Sequence, residues 1–369
     1  MSSEPRTEKI AKCFTKVKDP RIERSKRHKL IDIILLAICG VICGADSWVD
    51  IEMYGKAKKE WLETFLELPN GIPSHDTFGR VFAAIDPDEF EKSFREWVQT
   101  IHELTRGQVI ALDGKQLRGS QESETGRSAI YMVSAWASEN QLVLGQQKVD
   151  DKSNEITAIP KLLKILEING CIITIDAIGT QTKIAEMILE RGGDYLLAVK
   201  ENQGRLFEDM QYIFEVDKQY DFKDAPYQYA KTVNKNHGRI EIRQCWAISD
   251  PEYLSSIREK NRWPGLKSLI RIESERKIGE TSESQVSYFI TSLENDAKKI
   301  LHAKRSHWGV ENSLHWVLDI AFNEDHSRVR KDNSPQNFAI IRHMALNLLK
   351  LDQSLKVGIK AKRLRCGWD

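Results

Sequence analysis

The sequence predicts an α/β protein: an all-helical N-terminal region, then a mixed five-stranded sheet with helices on both faces, interrupted by a β-rich insertion. Three patterns predict it. Apolar residues recur at helical spacing through residues 1–105. Short apolar runs alternate with helical stretches from residue 108 to 200. Residues 217–292 change to an alternating pattern before helix returns.

Residues 30–45 are almost wholly apolar, which predicts a helix buried on all sides. Residues 47–66 place Trp48, Ile51, Tyr54, Trp61 and Phe65 at helical spacing. The Pro/Gly run Pro69-Asn70-Gly71-Ile72-Pro73 separates this helix pair from the next. Ser74 opens a helix with Phe78, Val81, Phe82 and Ile85 inward. Asp86-Pro87 then supplies an N-cap and a first-turn proline. The helix that follows carries Phe90, Phe94, Trp97, Val98, Ile101 and Leu104 on one face.

Residues 109–112 form a short apolar strand ending in Asp113-Gly114. Residues 129–137 and 142–149 read as two more strands, joined at a Glu139-Asn140 turn. A helix over 153–168, capped by Ser153, leads to a buried strand over 171–175 that ends in Asp176. A helix over 180–191, closed by Gly192-Gly193, leads to a fifth strand over 195–199 that ends at Lys200. Three antiparallel strands followed by two crossover units fit a mixed sheet. Strand-like stretches at 227–233, 239–248, 269–273 and 285–291 make up the insertion. Helix resumes over 296–320, and Ser334-Pro335 starts a last apolar helix to about residue 351. The predicted divisions are thus 1–105, 106–216, 217–292 and 293–352, with a basic tail over 353–369.

Lys and Arg total 55 against 54 Asp and Glu, a formal net charge of +1. Alone, that balance speaks against a nucleic-acid binder. Its distribution reverses the inference. Residues 1–29 hold ten basic and four acidic residues, and the last fifteen hold five basic and one acidic. The middle is therefore acidic. Six cysteines without a CxxC pair are those of a reduced, cytoplasmic protein. The longest apolar run, residues 33–45, is shorter than the about 20 residues a membrane helix needs. No signal-peptide pattern is present, so no membrane association is expected. His302, His307, His315 and His326 form no HExxH and have no cysteine pair beside them, so zinc is not expected. Gly192-Gly193 is no phosphate loop, so no nucleotide cofactor is expected.

Asp113 and Asp176 each follow an apolar strand, and ligands in such sheets bind outside the carboxyl ends of strands. On neighbouring strands, the two carboxylates would converge within reach of one hard cation such as Mg²⁺. Either aspartate alone reads better as a turn cap; the pair, each ending an apolar strand of one domain, reads equally as a metal site. Further on, Lys304, His307, Glu311, His315 and Leu318 share one helical face, beside a stripe of Val310, Leu314, Val317 and Ala321. Two Trp and two His between 307 and 316 set this helix apart from an ordinary amphipathic one.

These residues carry a resemblance. Leu112-Asp113-Gly114-Lys115, Thr174-Ile175-Asp176-Ala177, Ala198-Val199-Lys200-Glu201-Asn202-Gln203 and His307-Trp308-Gly309-Val310-Glu311-Asn312-Ser313-Leu314-His315-Trp316, through Phe322-Asn323-Glu324-Asp325, resemble the H-repeat-associated family of DDE insertion-sequence transposases. The similarity includes Ile72-Pro73-Ser74-His75-Asp76-Thr77-Phe78 and covers nearly the whole chain. It implies a ribonuclease H-like catalytic domain whose triad Asp113, Asp176 and Glu311 holds two Mg²⁺, with Mn²⁺ as substitute. It also implies DNA as partner, a homodimer on paired element ends, and hydrolysis followed by strand transfer. Related transposases show a tyrosine-arginine-glutamate-lysine spacing, and here Lys304, His307, Glu311 and Leu318 stand at those places. The phosphate-contact roles are thus altered while the glutamate is kept. Asp319, Glu324 and Asp325 stand as other third ligands, Asp319 being turned about 80° from Glu311 on an ideal helix.

Candidate DNA contacts are Lys115, Lys200, Asn202, Gln203, Lys304, Arg305, His307 and His315. Trp246 and Trp263 read as base-stacking or core residues. The basic stretches 21–29 and 356–365 read as phosphate contacts or solvated flanks. The helix over 74–85 is a candidate for the DNA groove. Two other functions fit the same residues: a nuclease of this fold without strand transfer, and an inactive or domesticated DNA-binding protein.

Overall fold

The computed structural model describes residues 6–102, 106–121, 128–150, 153–219, 222, 226–236 and 238–368. Leu104 of the predicted apolar helix face and His237 of the predicted hairpin turn lie outside these residues. The N-terminal part holds α1 (Arg6–Phe14), α2 (Leu30–Ile42), α3 (Trp48–Ala57), α4 (Lys59–Leu62), α5 (His75–Ala84) and α6 (Pro87–Ile101). The expected helix over 47–66 is therefore two helices meeting at Lys58. The caps of α5 and α6 are as read from the sequence. The Ser74 hydroxyl accepts from Thr77 N–H, and the Asp86 carboxylate accepts from Asp88 and Glu89 N–H.

The sheet comprises β1 (Val109–Leu117), β2 (Ile130–Ala137), β3 (Leu142–Lys148), β4 (Ile172–Ile175), β5 (Asp194–Val199), β6 (Tyr227–Asn236), β7 (Arg239–Ile248), β8 (Ser268–Ile278) and β9 (Thr281–Thr291). Its order is β3-β2-β1-β4-β5-β9-β8-β7-β6, nine strands rather than five. The expected insertion is not a separate layer. β9 pairs antiparallel with β5, Leu196 against Thr291 and Val199 against Tyr288, so the hairpins extend the same sheet. The crossovers carry α7 (Glu155–Ile165), α8 (Thr182–Glu190), α9 (Gly204–Gln219) and the short α10 (Pro251–Ser255). The cap of α7 is Asn154, whose side chain accepts from Ile156 N–H, one residue beyond the expected Ser153.

Side-chain alternation decides what each face meets. Val109, Ile172 and Leu196 join β7 and β8 residues under α11 (Ala297–Val310), whose Ala297, Ile300, Leu301 and Ala303 cover that face. Ile173, Ile175 and Leu197 point the other way, into a cluster with Ile159, Leu162 and Ile184 of α7 and α8. Past Val310 the helix widens into one π turn, Glu311–His315, and resumes as α12 (Trp316–Phe322). The expected unbroken helix over 296–320 is thus interrupted at its most polar residues.

The apolar helix near the C-terminus is α13 (Ser334–Leu351), and it is walled on both sides, by α2, α5 and α6 and by β3. Its buried asparagines stitch those walls together. Asn337 Nδ2 donates to the carbonyls of Phe82 and Ile85 at 2.8 and 3.1 Å, satisfying the end of α5. Asn347 exchanges two 2.9 Å hydrogen bonds with the backbone of Val143 on the edge strand β3. The expected basic tail contains a further helix, α14 (Ile359–Trp368). Its Arg363 is buried over the Phe322 ring and donates to the carbonyls of Val41, Ala45 and Ala321 and to Asp46. Lys362 is also buried, so these two cations are not available to phosphate, whereas Lys356, Lys360 and Arg365 are exposed. Among the described residues, no helix is long and apolar enough to cross a membrane.

Candidate active site

The register of two parallel strands sets up the site. β1 and β4 pair in parallel with Leu112 opposite Ile175, so Asp113 and Asp176, one step on, stand side by side. Adjacent strands lie about 4.8 Å apart. Both aspartates have the parity of Val109 and Ile172, the face that α11 covers, and α11 ends at Glu311. Asp113 does not end its strand, contrary to the expectation drawn from its flanking residues. β1 runs on to Leu117 because β2 continues to pair with it, Asp113 lying opposite Ser134. Asp176 does leave its strand. Its Oδ1 accepts from the backbone N–H of Ile178 and Gly179 at 3.1 and 3.4 Å, which fixes the turn that presents it.

Asp113, Glu311 and His315 come closest together: each offers a ligand atom within 4.8 Å of the other two. His315 Nδ1 lies 3.2 Å from Glu311 Oε2 and 3.6 Å from Asp113 Oδ2. Asp176 shares the same cleft but stands outside this trio. The cleft, of about 570 Å³, is edged by Asp113, Asp176, Glu311, Lys200, Lys304 and Trp308 and backed by Leu196, Phe207, Tyr288 and Phe289. Burial pushes the Asp113 carboxyl up to about 7, and although the Gly114 N–H counters this, Asp176, Glu155 and Glu311 add to it. Two carboxylates and an imidazole, with like charges crowded around a half-buried aspartate, fit a divalent cation. They do not fit a soft-metal thiolate site.

The sequence reading missed Glu155. It opens α7 and is buried near the two aspartates, and both its burial and Asp176 raise its pKa. Gly114 makes room for it, since a Cβ there would lie 2.3 Å from Glu155 Oε1. A lone acid in a helix's first turn is an ordinary dipole-favoured residue. Only its position after β3 could have singled it out.

Residues 104–348 match the family model described as Transposase DDE domain, and residues 11–98 match the model described as DDE_Tnp_1-associated. The chain belongs to the H-repeat-associated DDE transposases. It is 44% identical over 352 residues to "Putative transposase YncI" of Escherichia coli O157:H7, covering 94% of this chain and 88% of that one. It is 41% identical over 365 residues to "H repeat-associated putative transposase YhhI" of Escherichia coli strain K12, covering 98% and 95%. A solved piggyBac transposase synaptic complex with hairpin DNA aligns with a TM-score of 0.43 at 12% identity, covering 97% of this chain and 75% of that one.

Several residues of this transposase have other roles than those expected. Lys115 lies two residues beyond Asp113 on the same strand face, under α12. There it pairs with Asp319 and, at 3.0 Å, with Glu324. It is therefore an internal cation and not a surface DNA contact. Asp319 and Glu324 are held by that lysine, and Glu324 also by Arg342 at 3.5 Å, while Asp325 faces Arg118 at 3.7 Å. None of the three alternative acids joins the trio around Asp113. His315 is buried and turned toward the carboxylates rather than toward solvent. Asn202 and Gln203 each donate a 2.6 Å hydrogen bond, to the carbonyls of Ala177 and Thr180, so they brace the Asp176 turn.

The remaining expected contacts lie at different depths. Lys200 and Arg305 are exposed. Lys304 lies over the Trp308 ring at 5.7 Å, and burial, helped by Arg243, lowers its pKa to about 8. His307 faces Thr174 Oγ1 through Nδ1 at 3.0 Å, and burial holds its pKa down at about 4. Trp246 and Trp263 are core residues, Trp246 stacked on Phe222 and covered by Arg271.

Proposed function

We propose that this transposase cuts the ends of its insertion sequence and joins the freed 3′-hydroxyls to target DNA, with Asp113, Asp176 and Glu311 as the catalytic and metal-holding triad. The observation that carries this reading is the parallel register that sets Asp113 beside Asp176 on the face where α11 delivers Glu311. The family membership supports DNA as its partner. In this reading, strands β1 to β5 with α7, α8 and α11 are a ribonuclease H-like core, residues 217–292 are an extension of it, and the N-terminal helices bind element ends. The protein acts in the cytoplasm as a homodimer on paired ends.

When bound, two Mg²⁺, or Mn²⁺ in their place, supply activation of the attacking oxygen and charge neutralisation of the leaving one. Asp113, Asp176 and Glu311 would hold these ions, their carboxylates supplying the hard oxygen donors. Lys200, Lys304 and Arg305 receive the DNA phosphates at the rim of the cleft. Asn202 and Gln203 hold the Asp176 turn rigid, so the carboxylate is preorganised before DNA arrives. The apolar back wall excludes water from one side of the scissile phosphate.

The test uses labelled element ends with Mg²⁺ or Mn²⁺. Asp113→Asn, Asp176→Asn and Glu311→Gln are each expected to lower cleavage by at least about 1,000-fold while end binding persists. Full activity in any one removes that residue from the triad. Cleavage without joined product selects the nuclease reading, and binding without product in either metal selects the inactive one.

A further inference from the structure

We infer that His315 is itself a metal ligand, through Nδ1, to a cation held between Asp113 and Glu311, and that this position prefers Mn²⁺ to Mg²⁺. The inference rests on the metal-site reading above and adds a nitrogen donor to it. Three observations carry it. First, Nδ1 lies 3.2 Å from Glu311 Oε2 and 3.6 Å from Asp113 Oδ2. Adjacent ligands of an ion with bonds of about 2.1–2.3 Å sit roughly 3.0–3.3 Å apart. Small side-chain adjustments therefore bring all three donors onto one ion.

Second, the imidazole is 5% exposed and lies at the end of the π turn that begins with Glu311, so the backbone fixes it against the carboxylates. A residue that merely contacts DNA has no need of that burial.

Third, the far side of the ring has the environment of a ligating histidine. Nε2 is buried without a hydrogen-bond partner, as are Gln146 Oε1 and His343 Nδ1. His315, Gln146 and His343 line one small space of about 10 Å³, on the scale of a single water with polar partners on several sides. A ring that donates from Nε2 into that space carries its lone pair on Nδ1, facing Asp113 and Glu311. The competing role is a hydrogen bond from Nδ1–H to Glu311, which would position that carboxylate without touching the cation.

An imidazole in the donor set moves preference away from Mg²⁺, which takes oxygen ligands, and toward transition ions. The experiment is pulsed electron paramagnetic resonance on the full chain loaded with Mn²⁺, with Asp113→Asn defining which bound Mn²⁺ belongs to the site. The expected spectrum shows ¹⁴N coupling from a directly bound imidazole. His315→Asp is expected to keep Mn²⁺ bound, lose the ¹⁴N coupling, and reduce the Mn²⁺-over-Mg²⁺ affinity ratio by at least about tenfold in titration calorimetry. Site-bound Mn²⁺ without ¹⁴N coupling in the unaltered protein overturns the inference and leaves the carboxylate triad standing. Coupling that survives in His315→Asp overturns it too, because the nitrogen then belongs to another residue such as His307. Mn²⁺ binding that Asp113→Asn leaves unchanged overturns both this inference and the metal-site reading.

Discussion

Asp113 is strained by its own neighbours. Its pKa of about 7, raised by burial and by three nearby carboxylates, means that the ionised form is less favourable in the fold than in the unfolded chain. The sign follows from proton linkage: folding takes up a proton between about pH 4 and 7, so the metal-free protein loses stability as pH rises through that window. Asp113→Asn removes the charge and keeps the shape. It is expected to stabilise the metal-free protein at pH 8 by on the order of 1–3 kcal/mol, with the gain vanishing near pH 4, as read by urea denaturation in chelator. An equal or lower stability at pH 8 would contradict the crowding described here. His343 works in the opposite direction. Burial holds its pKa at about 4, so its contribution is complete above about pH 6.5 and is lost as pH falls toward 4. The pH dependence of His343→Gln relative to the unaltered protein is expected to show that loss.

The π turn does at the level of an element what no residue does alone. It carries Glu311 and His315, four residues apart on one side of the helix, at different depths, 57% and 6% side-chain exposure. Deleting Asn312, which is exposed, is expected to return the segment to a regular helix and shift Glu311 against His315, which then stand three residues apart. Circular dichroism should stay unchanged while end cleavage falls by at least about 100-fold. This is also where reading the sequence stops working. The apolar strands before Asp113 and Asp176, the caps at Ser74 and Asp86, and the buried stripe of Val310, Leu314, Val317 and Ala321 were legible because each depends on neighbours in sequence. The π turn was not, since a projection at 3.6 residues per turn presumes its absence. The Lys115 ion pairs were not, because Asp319 and Glu324 lie about two hundred residues away and only the sheet brings them under α12. The pairing of β9 with β5 was hidden for the same reason. Alternation predicts a strand but not its partner.

At the scale of the whole molecule, the N-terminal helices, α13 and one face of the sheet share one core. α13 is covered by N-terminal helices on one side and by β3 on the other, and its asparagines bond to both. Expressed alone, residues 103–369 would expose the α13 face that Phe82, Phe90 and Phe94 now help cover. That fragment is expected to be insoluble or molten, with dye binding and no cooperative thermal transition, despite retaining the triad. A sharp transition in the fragment would show that the sheet suffices. A chain with separable parts would accept a foreign N-terminal half by exchange of gene segments. Here a crossover near residue 105 would bring two walls of unrelated shape against one helix. A chimera that takes residues 1–105 and α13 from the same parent is therefore expected to fold, and one that takes them from different parents is not.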